Sequence, residues 1–200
     1  MNRIILFILT MLMSSGIFAD NSSDARKMLD KAASIVSRKG GTQASFVLSG
    51  NGTMQNGTIY IKGNKFYIDT KDAKMWYNGR TLWTYLIAND EVNVTTPTEQ
   101  QKTVINPYSF ITLYKRGYSL SYVKKGNTYH VRMVAQNKTG IKEMLVVLDS
   151  KFIPMQVRMN QNGKWTSVKI SEFAAKNQPD GRFVFNSKYF PSAEVIDLRD

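Results

Sequence analysis

The chain has 200 residues, enough for one domain, and 42% hydrophobic with 12% aromatic content is ample for a core. It has no cysteine, which excludes disulfides, zinc–thiolate sites and thiol nucleophiles. A formal net charge of +12 favours acidic partners such as nucleic acid, anionic lipid or an acidic protein face, or is simply the charge of a soluble basic surface.

Residues 1–19 differ in kind from the rest. Arg3 supplies a positive start, Ile4 to Met13 is a nearly unbroken apolar run, and small Ala19 precedes Asp20. This pattern reads as a cleavable secretory signal, removed after Ala19. The apolar run is shorter than the ~20 residues that a membrane-spanning helix needs. The mature domain is then 20–200. Export argues against a nucleic-acid partner, and the absence of a cysteine at the cleavage point excludes a lipid anchor there.

The mature chain opens with a helix. Ser22 or Ser23 is the expected cap, and Asp24 in the first turn suits the helix dipole. Ala25, Met28, Leu29, Ala32, Ile35 and Val36 recur at helical spacing, and Gly40-Gly41 ends the element. Such an amphipathic helix packs on a core, or serves as a lid or a membrane-surface helix.

From Gln43 the periodicity changes to two. Phe46 opens the strand pattern, Ile59 and Ile61 share a face, and so do Phe66 and Ile68, with Lys65 and Asp69 outward. The stretch Met75 to Tyr85 carries two of the three tryptophans around Asn78-Gly79, which predicts a two-residue type I′ hairpin turn. Asp69 and Asp72 read as solvated loop acids. Val92 and Val94 mark another strand.

Strand signals stop between Pro97 and Gly117. Asn106-Pro107 predicts a helix start, and Tyr108, Phe110, Ile111 and Leu113 make that helix very apolar. It is either a lid over a pocket or a core helix plugging a barrel end. Strands then resume. Val131 and Met133 share an apolar face, as do Met144, Val146 and Leu148. Ile153, Met155, Val157 and Met159 alternate with polar residues, and Asn162-Gly163 is a second hairpin turn. Phe183-Val184-Phe185 reads as a last strand. Ten or eleven strands joined by hairpins predict an antiparallel meander, closed as a barrel or strongly curved.

No catalytic constellation is visible. His130 is the only histidine and sits on the polar face of its strand, so nucleophile–base and zinc readings lack parts. The unusual feature is the number of inward-facing methionines and aromatics. Methionine is unbranched and adaptable, which suits a cavity for flexible acyl chains as well as a plain core.

In its order of elements and in local matches the chain resembles the LolA family, the periplasmic lipoprotein carriers of the Lol pathway. The matches are Leu29-Asp30-Lys31, Ala44-Ser45-Phe46, Gly57 to Lys62, Asn78-Gly79-Arg80-Thr81-Leu82-Trp83-Thr84-Tyr85, Asn106-Pro107-Tyr108 and Pro191 to Asp197. The resemblance implies a mainly β, α+β fold, an incomplete antiparallel barrel with helices as a lid over an apolar cavity. It implies a non-enzymatic, periplasmic, monomeric carrier that uses no cofactor. Such a carrier takes the acyl chains of a lipoprotein from an inner-membrane ATP-driven transporter and passes them to an outer-membrane receptor. Hiding acyl chains from water is worth ~25 cal/mol per Å², and transfer follows the difference in affinity between successive holders.

On this basis Phe46, Ile59, Ile61, Phe66, Ile68, Met75, Phe110, Leu113, Met133 and Met155 are expected to line the cavity. Lys115 and Arg116 are expected to touch a partner or a headgroup. Many family members carry an Arg-Pro pair after the second strand, the Arg tying the lid closed. Here the chain reads Lys62-Gly63, and an ammonium lacks the fork geometry of a guanidinium. The expected cargo therefore extends to another acylated molecule or a glycolipid. A lipid-sensing interaction module on the same fold is the alternative reading, and a lipid hydrolase a weaker one.

Overall fold

The structure, a computed structural model, describes residues 21–50, 52–98, 101, 113–115, 117–137 and 140–199. The expected signal segment, most of the helix expected after Asn106-Pro107, and with it Phe110 and Arg116, lie outside the described residues.

Helix α1 (Ser22–Val36) buries Ala25, Leu29, Ala32 and Val36, the face that its spacing predicts. Its cap is Asn21, not a serine, and the Asn21 side chain does not bond to the helix. Instead it reaches the next element: its Nδ2 donates to the Tyr122 carbonyl (3.0 Å), and its Oδ1 accepts from the Tyr122 N–H (2.9 Å). A carboxamide carries one donor and one acceptor in the spacing of a peptide, so it can occupy a strand edge.

The strands form one curved, unclosed sheet. β1 (Thr42–Gly50), β2 (Thr53–Lys62), β3 (Lys65–Thr70), β4 (Ala73–Tyr77), β5 (Leu82–Leu86) and β6 (Glu91–Thr95) run outward as a meander. A second meander comprises β7 (Tyr118–Lys125), β8 (Thr128–Ala135), β9 (Glu143–Leu148), β10 (Pro154–Gln161) and β11 (Lys164–Ala175). Antiparallel pairing of β1 with β11 joins the two halves. β12 (Glu194–Asp197) then adds to β6 in parallel, a pairing that a pure meander does not contain. The sheet edges are thus β12 and β7, and Asn21 covers the backbone of β7 at Tyr122.

The two asparagine–glycine turns differ. Asn162 and Gly163 both take positive φ (52° and 82°), as a type I′ turn requires. At Asn78-Gly79 only Gly79 does, at 100°. Four residues separate β4 from β5 there, and Asn78 Oδ1 accepts from the Arg80 and Thr81 N–H groups (2.9 and 2.8 Å). The expected two-residue turn is therefore a wider loop built on an Asx turn. Asp69, expected in a loop, lies in β3 and pairs with Lys74 across the strand pair.

A bulge corrects the expected face of Met155. The register of β10 on β9 shifts between Pro154 and Gln156, and Met155 is 45% exposed while Pro154 and Val157 are buried. Proline has no N–H for the ladder, so the strand accommodates an extra residue there.

The outer face of the first half is covered by the chain's C-terminal segment. Tyr60, Tyr67 and Trp76 stack in sequence (5.7 and 5.3 Å between centroids), and Phe185 and Phe190 pack edge-on against Trp76. Residues 183–185, expected as a strand, belong to this cover. Phe183 closes a 3-10 turn (Asp180–Phe183) and is fully buried. Lys62 and Lys65 both reach Asp180 (3.1 and 2.9 Å) and hold its carboxyl below the usual range.

Candidate functional site

The inner face, toward α1, is apolar across its middle strands and α1 covers part of it, whereas toward β6 it carries Thr84, Asn93 and Thr95. Thr42, which sits opposite Ile61, donates its hydroxyl to the Val36 carbonyl (2.9 Å) and holds the end of α1 over these rungs. Ile59, Ile61, Phe66 and Met133 are accordingly buried in the core shared with α1. Toward the β1–β2 and β10–β11 turns the sheet continues, and a cavity of about 360 Å³ remains.

Its walls come from both halves of the sheet. β1 supplies Phe46 and Leu48, β3 and β4 supply Ile68 and Met75, and β10 and β11 supply Met159 and Val168. Ile141, just before β9, is held by its carbonyl, which accepts from Tyr118 Oη (2.8 Å). Gln55, Thr70, Ala73, Gln161 and Thr166 complete the lining. Polarity is graded. Phe46, Ile68, Ile141 and Val168 are buried, whereas the polar residues are half-buried or exposed. Among the described residues no charged side chain lines the cavity.

Gly57 makes room for this floor. A Cβ there would stand 2.9 Å from the end of the Phe46 ring and 2.4 Å from the Asp69 carbonyl oxygen. Thr70 closes the β3–β4 turn by donating to the Ala73 carbonyl (2.8 Å) and accepting from its N–H (3.0 Å). Gln55 Nε2 donates to Asp72 Oδ2 at the rim (3.3 Å).

Of the residues expected in the lining, the structure brings Phe46, Ile68 and Met75 together around the cavity. Leu113 packs half-buried against the core, Met155 points outward, and Lys115 is exposed. Leu48, Met159 and Val168 share the periodicity of the predicted face. Among the described elements, the position of α1 decides that their end of the sheet is left uncovered. The polar rim carried no sequence signal.

Next to Leu113, Tyr114 is buried and its Oη bonds to Asp30 of α1, with the Arg26 guanidinium 5.8 Å from its ring. Burial, then the Asp30 carboxylate, push the Tyr114 phenol well above its ordinary pKa. Thr98 and Gln101 form a reciprocal capping pair (2.8 and 3.3 Å). This spacing is a helix-start signal, ahead of Pro107 in the sequence.

Among the described residues no cluster of three His, Asp or Glu side chains suits a metal ion. His130 lies against Thr128 (3.0 Å), and burial followed by the nearby Lys125 charge lowers its pKa. The arrangement can bind apolar matter and offer neutral hydrogen-bonding groups at its mouth.

Among solved structures, an uncharacterized conserved protein from Thermus thermophilus is similar over 87% of this chain and 99% of its own, with a TM-score of 0.60 and 14% identity. MucB is similar over 84% of this chain and 64% of its own, with a TM-score of 0.50 and 10% identity. An outer membrane lipoprotein-sorting protein domain from Vibrio parahaemolyticus aligns over 85% and 99%, with a TM-score of 0.48 and 10% identity. Likeness at these identities is a likeness of fold. Curated protein sequences give no match. The sequence family described as outer membrane lipoprotein carrier protein LolA matches residues 15–164, three-quarters of the chain. With that match and an unclosed sheet around an apolar cavity, the chain belongs to the LolA family of outer membrane lipoprotein carrier proteins.

Proposed function

We propose that the protein is a periplasmic carrier that shelters acyl chains of a lipoprotein in the inner-face cavity and hands them to an outer-membrane receptor. The observation that carries this reading is the cavity itself, with an apolar floor and, among the described residues, a neutral polar rim, in a member of a carrier family. Cargo is bound and released unchanged. Expelling water from such a cavity favours the acyl chain by ~0.8 kcal/mol per methylene. Release then needs an acceptor that holds the chain more strongly. None of the described helices is long and apolar enough to cross a membrane.

The test is release of newly acylated lipoprotein from inner-membrane vesicles by the mature protein. A soluble complex of carrier and lipoprotein is the expected result. A stable complex with one membrane protein and no release would move the reading to a lipid-sensing interaction module. One observation favours that second reading. Lys62, the basic residue nearest to where many family members carry the lid-tying Arg, is bonded to Asp180 of the C-terminal cover.

A further inference from the structure

In an antiparallel meander, successive connections alternate between the two ends of the sheet. The two rims can therefore be compared charge by charge. The cavity lies toward the rim formed by the β1–β2, β3–β4, β5–β6, β8–β9 and β10–β11 connections. Among the described residues of these connections and of the strand ends beside them, Lys71, Lys142 and Lys164 stand against Asp72, Asp90, Glu91 and Glu143. That rim is balanced.

The opposite rim is strongly basic. Its connections are β2–β3, β4–β5, β7–β8 and β9–β10, and with their strand ends they carry Lys62, Lys65, Arg80, Lys125 and Lys151 against Asp149 alone among the described residues. Lys124 adds to Lys125. Arg38 and Lys39 follow α1, and Lys176 follows β11, where Thr42 pairs with Ala175 at the same rim. The acids there are engaged. Asp180 lies between Lys62 and Lys65 and offsets one of the two charges. Asp149 turns inward, its Oδ1 accepting from the Lys151 and Ile153 N–H groups (2.8 Å each).

Aromatic side chains stand among these cations. Phe152, in the β9–β10 turn, is half-buried and stacks on Tyr129 (5.3 Å between centroids). The Lys31 ammonium lies 4.5 Å from the Phe152 ring, and that of Lys124 lies 5.8 Å from the Tyr129 ring. Phe152 takes a φ of 63°, which an aromatic residue rarely adopts. The turn holds it there through its N–H, which donates to the Asp149 carbonyl (3.0 Å). Backbone strain kept in this way marks a position with a task beyond packing. Rings beside lysines suit a boundary between water and lipid, where the ring meets the apolar side and the ammonium reaches outward.

We propose that the rim opposite the cavity docks on an anionic lipid surface. Its cations are spread over separate turns along a curved sheet. A fluid layer of lipid phosphates can meet each of them in turn, whereas a folded acidic partner would need a matching arc. So docked, the molecule turns its cavity away from the lipid. This goes beyond the acyl-binding reading and does not depend on it.

The test is flotation of the mature protein, at physiological salt, with vesicles of phosphatidylglycerol mixed into phosphatidylcholine, beside vesicles of phosphatidylcholine alone. Only the anionic vesicles should carry the protein, and added salt should release it. A lysine near such a surface strengthens binding about fivefold. K124Q with K125Q and K151Q should therefore weaken binding on the order of a hundredfold. K71Q with K142Q and K164Q removes the same charge from the cavity rim. Strands of about eight residues, roughly 25 Å or about three Debye lengths, separate the two sets, so this control should change binding by less than about threefold. All six lysines are exposed, and equal urea midpoints show that both variants fold.

Equal weakening by both sets would overturn the proposal, because net charge and not one rim would then govern binding. So would equal binding to neutral vesicles. Failure to bind the anionic vesicles would also overturn it and leave an acidic protein as the partner of this rim. None of these results bears on whether the cavity holds an acyl chain.

Discussion

Gly57 shows how a single residue shapes the cavity. The space that its side chain would fill is taken by the Phe46 ring and the Asp69 carbonyl. Gly57→Ala should cost about 1–3 kcal/mol through overpacking, read as a lower urea midpoint. Leu48→Trp acts differently. Leu48 is half-buried at the cavity wall, so the indole can occupy the cavity and keep the fold. It should remove acyl binding and leave the unfolding midpoint nearly unchanged. Face assignment by alternation was legible for Phe46, Ile68, Met75 and Val168, because the strand period of two is sterically enforced. It failed at Met155, where Pro154 breaks the ladder and the bulge turns the next side chain outward. It also could not separate Ile59 and Ile61, which end under α1, from Leu48, which does not. That distinction depends on where a helix lies across the sheet, and no local pattern encodes it.

At the scale of elements, α1 is fastened at both ends by hydrogen bonds to the sheet. Asn21 pairs with the β7 backbone at its start, and Thr42 bonds to its last turn. Asn21→Ala frees a strand edge and loses two hydrogen bonds. It should cost about 1–2 kcal/mol, a fall of roughly 2–8 °C in Tm by calorimetry. The sequence puts the cap at Ser22 or Ser23 and gives no signal for Asn21, whose partner lies 101 positions away. The C-terminal cover was equally opaque. Phe183-Val184-Phe185 alternates like a strand, yet Pro179 and the 3-10 turn at Asp180–Phe183 set these aromatics on the outer face of β4. Truncation after Gln178 should uncover Trp76 and shift tryptophan emission to the red. Unchanged emission would show that the cover does not shield Trp76.

At the scale of the whole molecule, the meander was legible because hairpin turns punctuate it. Its continuity was not, since β1 meets β11 across most of the chain's length. The same long-range packing gives the protein an alkaline limit. Burial raises the Tyr67 and Tyr114 phenols, and the Asp69 and Asp30 carboxylates raise them further. In the unfolded chain each would ionise near its ordinary value of about 10. Their contribution to stability is thus complete below that pH and is lost as pH rises above it. The urea midpoint should fall as pH rises above about 10, and Y67F with Y114F should flatten the fall.

The central claim is that the inner-face cavity holds an acyl chain. Native mass spectrometry of the protein purified from the cells that make it, beside Leu48→Trp prepared in the same way, tests it most directly. The account predicts one acylated molecule per protein in the unmodified form and none in the variant. An acylated molecule retained equally by both would place the chain elsewhere and contradict the account. So would a bare protein that takes up no acyl lipid when one is supplied.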